Sequence, residues 1–62
     1  MKIKIIRNII RCNHCLETIE SVDVHDLKIC ECGKVGVDGG IEYLQRMGTV
    51  DDYEELSITV ER

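Results

Sequence analysis

The chain begins with a run in which polar and apolar residues alternate. Residues 2–5 alternate lysine and isoleucine, Ile6 breaks the parity, and the apolar run resumes at Ile9. Alternation with a period of two is typical of a half-buried strand, and a change of parity within it indicates a bulge. The pattern therefore predicts a strand over residues 1–11 with a bulge near Arg7 and Asn8.

The chain ends with a second alternating run. Leu56, Ile58 and Val60 are separated by polar residues, which predicts a strand with these three side chains facing inward. A strand at each end of a short chain leaves two exposed sheet edges unless the two pair with each other. We therefore expect the C-terminal strand to pair with the N-terminal strand.

Between the ends, shorter apolar runs flank two pairs of cysteines. The pattern predicts strands over residues 16–21, 27–29 and 34–38, with residues 22–26 as a connection. Each cysteine pair then lies in the turn of a hairpin. This arrangement of hairpin, knuckle and hairpin brings the two turns together.

The periodicity changes after a glycine-rich turn at residues 38–40. Ile41, Leu44 and Met47 recur at a spacing of three, and Gly48 follows them. This spacing is typical of one face of a helix, and glycine commonly ends a helix. The sequence therefore predicts about two turns of helix ending at Gly48.

Composition and length bear on the fold class. The 62 residues include no Phe, Trp, Pro or Ala, and 15 of the 23 apolar residues other than cysteine are Ile or Val. β-branched residues favour sheets, and so short a chain buries too little surface to be stable on an apolar core alone. We predict one domain over residues 1–62: a small β-rich zinc ribbon with two knuckle hairpins and one short helix, whose C-terminal strand pairs with the N-terminal strand.

The cysteines are the main candidates for chemistry. Cys12 and Cys15 form one pair, Cys30 and Cys32 form the second, and fourteen residues separate the pairs. Two pairs of thiolates on two turns can surround one tetrahedral Zn²⁺, and binding of the metal would supply folding free energy. We predict Zn²⁺ as the cofactor and all four cysteines as its ligands.

Several features leave alternatives open at this site. The second pair has one intervening residue instead of two, which requires a tight bend at Glu31. A disulfide between Cys12 and Cys15 is an alternative that a reducing compartment disfavours, and a thioredoxin-type motif would need a βαβ setting that the chain lacks. His14 is interpreted as a solvent-facing turn residue. His25 is an alternative ligand with Asp26 orienting its ring. Gly33 follows the second pair, whereas Leu16 follows the first, where the backbone is less permissive.

Charge is distributed unevenly. The formal net charge is −4, with +1 on residues 1–34 and −5 on residues 35–62, and a Zn²⁺ bound by four thiolates adds −2. No apolar segment is long enough to form a secretory or membrane-spanning segment. We therefore expect a chain that stays in the reducing cytoplasm, without a membrane or small-molecule partner, and binds nucleic acid weakly.

The sequence favours a binding function over catalysis. Four thiolates close a zinc site to water and substrate, and neither serine lies in a nucleophile-like context, so we predict that the chain is not an enzyme. Instead, Tyr53 lies among acids, and tyrosines often anchor interfaces. We predict a protein partner with a basic surface that contacts Asp51, Asp52, Tyr53, Glu54 and Glu55.

Two other functions remain open. One is a regulatory nucleic-acid-binding ribbon, which would use the basic residues Lys2, Lys4, Arg7, Arg11 and Lys28. Convergence of those bases with Lys34 on one face would favour it, whereas a single acidic patch around Tyr53 would favour the protein partner. The other is a subunit of a larger assembly, in which case the free chain should be oligomeric or poorly soluble.

The order of the motifs resembles that of a known group of proteins. The resemblance runs from about residue 7 to 57 and rests on the segments 7–15, 19–21, 25–26, 30–33, 37–40, 43–46 and 53–57. It is with an uncharacterised family of very short four-cysteine zinc-ribbon proteins of low-GC Gram-positive bacteria and their phages. The position after the first cysteine pair is typically glycine in that family and is Leu16 here. The resemblance implies a zinc ribbon and a phage or mobile-element origin, and the family has no known activity to carry over. We predict that the chain is a phage or mobile-element accessory or inhibitor acting on a host protein.

Overall fold

The computed structural model describes residues 2–61 as an all-β protein of about 35 × 21 × 15 Å. Met1, where the sequence places the start of the first strand, and Arg62, the end of the predicted domain, lie outside the described residues. Seven strands follow one another along the chain: β1 (Ile3–Cys12), β2 (Thr18–Ser21), β3 (Lys28–Ile29), β4 (Gly36–Asp38), β5 (Gln45–Met47), β6 (Tyr53–Glu55) and β7 (Ile58–Glu61). Among residues 2–61, no helix is long and apolar enough to cross a membrane.

The strands form two antiparallel sheets. In the first sheet β1 is central, with β2 along one edge and both β6 and β7 along the other. The second sheet has the order β3, β4, β5. The β1–β2 and β3–β4 hairpins carry the two cysteine pairs in their turns, so the predicted arrangement of hairpin, knuckle and hairpin is confirmed. The pairing of the C-terminal strand with the N-terminal strand is also confirmed.

The bulge in β1 lies one residue earlier than predicted. The pairing of β1 with β7 is regular up to Ile5 and resumes at Arg7, so Ile6 is the extra residue. The prediction that Leu56, Ile58 and Val60 face inward is wrong, because all three side chains are exposed. They lie on or beside a strand that has β1 as its only neighbour among the described residues.

The core lies where the two sheets meet at the cysteine end of the molecule. Ile10, Cys12, Ile19, Cys30, Val35 and Val37 form one buried cluster, and the half-buried side chains of Cys15 and Tyr53 pack against it. Four of these six buried residues are β-branched, as the composition suggests. The sulfur atoms of Cys12 and Cys30 therefore belong to the core as well as to the knuckles.

The predicted helix over residues 41–47 is wrong, and the reason lies in one buried side chain. Asn8 is fully buried and its Nδ2 donates to the backbone oxygens of Asp38, Gly40 and Tyr43 at 2.9, 2.8 and 3.3 Å. These bonds hold the segment against β1, and the pairing of residues 45–47 with β4 requires an extended backbone there. The segment forms a single turn and then β5, which pairs with β4.

Two glycines permit this course of the chain. Gly39 and Gly40 have φ angles of +99° and +54°, which side chains rarely tolerate. A Cβ on Gly40 would lie 2.5 Å from the carbonyl carbon of Asp23. The glycine-rich turn predicted at residues 38–40 is therefore present, and it directs the chain across the sheet instead of into a helix.

A candidate metal centre

The four cysteine sulfurs converge at one end of the core. All four lie within 4.8 Å of one another, with 3.5 Å between the sulfurs of Cys12 and Cys32 and 3.4 Å between those of Cys30 and Cys32. These distances are far too long for a disulfide bond of about 2.05 Å. They approach the separation of about 3.8 Å that four sulfurs take when each lies about 2.3 Å from a central zinc ion. The donor set and its spacing fit a tetrahedral metal ion.

The backbone of each knuckle is shaped to surround a sulfur atom. In the first knuckle the N–H groups of His14 and Cys15 donate to Cys12 Sγ at 3.3 and 3.4 Å. The residue after each pair has a positive φ, +65° at Leu16 and +78° at Gly33. The sequence indicates that the first turn uses a less permissive residue, and Leu16 indeed takes a left-handed conformation that is costly for a residue with a Cβ.

Crowding of the thiols shifts their pKa values in opposite directions. Burial raises the pKa of Cys30, but the backbone N–H groups of Val35 and Lys34 and the neighbouring thiols outweigh burial and lower the pKa to about 6. For Cys32 the Lys34 N–H lowers the pKa, but burial and the adjacent cysteines dominate and raise it to about 12. The neighbouring sulfurs therefore disfavour a thiolate at Cys32, and a divalent cation at the centre of the cluster would favour one.

Burial differs among the four cysteines. Cys12 and Cys30 are buried, Cys15 is half-buried, and Cys32 is exposed. A metal ion held here would be anchored by two core side chains and would lie near the surface on the side of Cys32. Both buried cysteines are the first of their pair, because each ends a strand or directly follows one.

A carboxylate that sequence analysis did not identify connects the two knuckles. Glu17 Oε1 accepts a hydrogen bond of 2.6 Å from the backbone N–H of Glu31, the single residue between Cys30 and Cys32. This bond fixes the tight bend that the short second pair requires. In the sequence, only the position of Glu17, two residues after the first cysteine pair, indicates that it could lie near the knuckles.

The two histidines lie outside the cysteine cluster. Among the described residues, only the four cysteines form the group that could hold a metal ion. His14 Nε2 is instead 2.8 Å from Asp52 Oδ1, and His25 is exposed. The His14 ring, together with the N–H and hydroxyl groups of Thr49, lowers the pKa of Asp52 to about 2. His14 thus ties the first knuckle to the turn that precedes β6.

The residues of the predicted acidic surface are dispersed. Glu54 and Glu55 are consecutive in β6 and point to opposite faces of the sheet. Glu54 pairs with Arg11 at 2.9 Å, and Glu55 pairs with Arg46. Tyr53 packs against the core, Asp51 is exposed, and Asp52 contacts His14. The acids do not form one continuous patch, and the partner surface remains a prediction.

Three of the five basic residues of the alternative function are paired with carboxylates. Arg7 pairs with Glu20 at 2.8 Å, Arg11 with Glu54, and Lys28 with Asp26 at 2.6 Å. The Arg7 side chain lowers the pKa of Glu20, and Lys28 lowers that of Asp26. Among residues 2–61, the ion pairs leave Lys2, Lys4 and Lys34 without a carboxylate within 4 Å.

A polar network around the buried Asn8 joins β1, β5 and β6. Arg46 donates to Asn8 Oδ1 at 2.7 Å, to Ser57 Oγ at 2.9 Å and to the carboxylate of Glu55. Burial raises the pKa of Glu55, but its bonds to Arg46 and Ser57 outweigh this and lower it. Ser57 Oγ also accepts from the N–H of Ile9. Sequence analysis missed this network, because a lone Asn and a lone Arg in strands carry no motif.

Comparison with known proteins places the chain in a family. The family model described as "Domain of unknown function (DUF7695)" matches residues 4–48, which include β1 to β5 and all four cysteines. No curated protein and no solved structure matches the chain. Since the matched residues cover most of the 62-residue chain, this protein belongs to the DUF7695 family.

Proposed function

We propose that this chain is a zinc-stabilised, non-enzymatic module that binds another protein. The proposal that zinc stabilises the chain rests on the convergence of four cysteine sulfurs within 4.8 Å of one another. Four soft sulfur ligands in a reducing compartment favour Zn²⁺ over hard cations such as Mg²⁺ or Ca²⁺. The hairpin–knuckle–hairpin arrangement supports its description as a zinc ribbon.

A structural role for the metal is supported by the site's closure. When four sulfurs fill a tetrahedron, no position remains for water or substrate, so zinc would stabilise the fold and would not activate a reactant. The two serine hydroxyls also have structural partners. Ser21 Oγ donates to the backbone oxygen of Asp26 at 2.6 Å, and Ser57 Oγ bonds with Arg46 and Ile9.

Protein binding is supported by the distribution of apolar side chains. Fourteen large apolar residues of the described chain are exposed, whereas the buried core contains eight apolar residues. Contiguous exposed apolar side chains commonly mark a contact surface, and Ile58 and Val60 are such neighbours on one face of β7. The proposal includes a cytoplasmic location and an accessory or inhibitory role of a phage or mobile element towards a host protein.

The proposed partner has a basic surface and contacts the segment 51–55. Asp51 is exposed and makes no side-chain ion pair among residues 2–61, so it offers the clearest contact for a basic partner. Glu54 is also exposed, although it faces Arg11. Tyr53 is half-buried, so it would contribute its exposed part to the interface while holding the strand on the core.

The nucleic-acid alternative is less well supported. Three of its five basic residues, Arg7, Arg11 and Lys28, are paired with carboxylates. Each pair must be broken or shared before the base can neutralise a phosphate. Non-specific affinity depends on the number of phosphates neutralised, and the chain as a whole is acidic.

The test begins with the zinc-loaded chain as bait for a host lysate, followed by binding measurements with the purified captured protein. Asp51→Lys should slow association and weaken its salt dependence, because charges around an interface mainly set the on-rate. Tyr53→Phe keeps the packing and tests only the hydroxyl group. Glu42→Lys, which makes the same charge change at an exposed carboxylate outside this segment, is the charge control, and zinc content should stay near one equivalent in all variants.

Two results would contradict the proposal. The first is sub-micromolar, steeply salt-dependent binding of generic DNA or RNA in an anisotropy titration, which would favour the alternative. The second is enzymatic turnover of a substrate by the zinc-loaded chain, if the Cys15→Ser variant stays folded and loses this activity. Equal binding by the Asp51→Lys variant and the parent would remove segment 51–55 from the interface.

A further inference from the structure

One end of the molecule is a two-stranded projection, which we call the arm. It consists of residues 3–7 of β1 and of β7, Ile58–Glu61. Beyond the bulge β1 is paired on both sides, by β2 and by β6, but along the arm only β7 pairs with it. Of the described strands, none pairs with the other edge of residues 3–6. This edge presents backbone N–H and C=O groups that are free to pair with an additional strand.

Four of the five apolar side chains of the arm are exposed, and the fifth, Ile5, is buried. Ile3 is 70% exposed on one face, and Ile58 and Val60 are 48% and 40% exposed on the other. In the antiparallel register Ile3 and Ile5 lie opposite Glu61 and Thr59, so they share one face of the arm. An added strand would bury part of this apolar surface and would pair the free backbone groups at the same time.

Charge indicates which kind of strand fits this edge. Lys4 lies opposite Val60 on the second face, and neither Lys4 nor Lys2 has a carboxylate within 4 Å among residues 2–61. The β1 half of the arm has no acid. An incoming strand that alternates apolar and acidic residues would place its apolar side chains on the face of Ile3, which is exposed. Its carboxylates would then lie beside Lys4 on the opposite face.

The same lysine disfavours a second copy of this chain as the occupant. In an antiparallel pairing of two such edges centred on Lys4, the two ammonium groups would lie directly opposite each other. In a pairing centred on Ile5 they would be diagonal neighbours, about 7–8 Å apart. Both copies also carry a net charge of −4. A lysine on an exposed edge is a common protection against self-pairing, and it does not repel an acidic strand.

We propose that the free edge of β1 at Ile3–Ile6 is a docking site for an extended protein segment that alternates acidic and apolar residues. The segment would add to the sheet as a strand beside β1. This proposal rests on the proposed role in protein binding, but it concerns a different surface from segment 51–55. The partner segment at this edge would be acidic, whereas the partner proposed for segment 51–55 has a basic surface.

The experiment uses the zinc-loaded full chain and three fluorescent seven-residue peptides. The first alternates glutamate and valine, the second has lysine in place of each glutamate, and the third is the first with alternate backbone nitrogens methylated. In anisotropy titrations we expect the glutamate peptide to bind and the other two peptides to bind at least about tenfold more weakly. A like charge or a lost strand hydrogen bond would each cost about 1.4 kcal/mol or more, which corresponds to that factor. In ¹⁵N-labelled protein, the shifted amides should be those of Ile3, Lys4, Ile5 and Ile6.

Charge exchange provides the matched control. Lys4→Glu should weaken binding of the glutamate peptide at least about tenfold and should improve binding of the lysine peptide. Lys34→Glu makes the same charge change in the second knuckle and should leave both affinities unchanged. Zinc content and the amide spectrum of both variants establish that each is folded.

Several outcomes would overturn the proposal. They are equal binding of the two charged peptides, amide shifts confined to another surface, absence of binding by the glutamate peptide, and dimerisation of the free chain through Ile3–Ile6 in light scattering and NMR. These results would leave the wider proposal intact, because the lysate capture and the Asp51→Lys variant test segment 51–55 independently. Loss of binding at that segment alone would, conversely, leave the arm unaffected.

Discussion

The cysteine end and the arm share strand β1, yet they differ in what stabilises them. At the cysteine end, Ile10 and Cys12 are fully buried and the strand has neighbours on both sides. In the arm, Ile3 is mostly exposed and one edge of the strand is open. The cysteine cluster and a few buried β-branched residues therefore stabilise only the cysteine end of the molecule. The other end retains apolar surface that the core does not use.

The most severe test of this comparison removes a metal ligand. We expect Cys32→Ser to lose both the metal and the fold, because a structural zinc contributes on the order of 10 kcal/mol to a small domain. Metal analysis should give about one zinc per parent chain and none per variant, and circular dichroism should show loss of the sheet.

The histidines provide the control for this prediction. His14→Gln and His25→Gln should each keep one zinc, since both rings lie outside the sulfur cluster. A folded, metal-free Cys32→Ser chain would show that the cluster is not needed for the fold. Loss of zinc in His25→Gln would instead show that the second pair supplies a single sulfur.

A matched pair of isoleucine substitutions compares the two ends directly. Ile10→Ala should lower the free energy of unfolding by about 3–4 kcal/mol, because it removes a fully buried side chain and leaves a cavity. Ile58→Ala, at a position 48% exposed, should cost less than about 1 kcal/mol. Denaturant unfolding of the zinc-loaded proteins gives both values, and equal costs would mean that the arm is packed as tightly as the core.

A second matched pair tests the buried asparagine that anchors the segment after β4. Asn8→Ala should cost about 2–3 kcal/mol, because the backbone oxygens of Gly40 and Tyr43 and the guanidinium of Arg46 lose a buried partner. Asn13→Ala, which removes one bond to the backbone oxygen of Asp51 on the surface, should cost under about 1 kcal/mol. Thermal unfolding measures both, and a mild effect of Asn8→Ala would mean that water replaces its hydrogen bonds.

The smallest effect is expected in the first knuckle and has the opposite sign. Leu16→Gly should stabilise the zinc-loaded chain by up to about 1 kcal/mol, because glycine takes the observed φ of +65° without steric cost. Leu27→Gly makes the same replacement at an exposed leucine without a positive φ and should be destabilising. An unfolding temperature that falls in both variants would show that the Leu16 side chain contributes more than its backbone costs.

The sequence predicted the parts of the fold that local chemistry determines. Cysteine spacing identified both knuckles, and alternation identified β1 and β7 and their pairing. The helix prediction failed because periodicity reports a preference of the segment alone. The decisive contact comes from Asn8, more than thirty residues away. The dispersal of the acidic segment followed from strand geometry, since neighbouring residues in a strand face opposite ways.

The length of β1 has a mechanical consequence. Its ten residues span roughly 33 Å as an extended strand, close to the 35 Å long axis of the molecule, and its last residue is Cys12. A force applied to the arm would be transmitted along the backbone of β1 to the buried Cys12. The hydrogen bonds to β2, β6 and β7 lie across that direction and would share the load in shear. With a cation held by the four cysteines, the strand would act as a tether whose far end is clamped by metal–sulfur bonds.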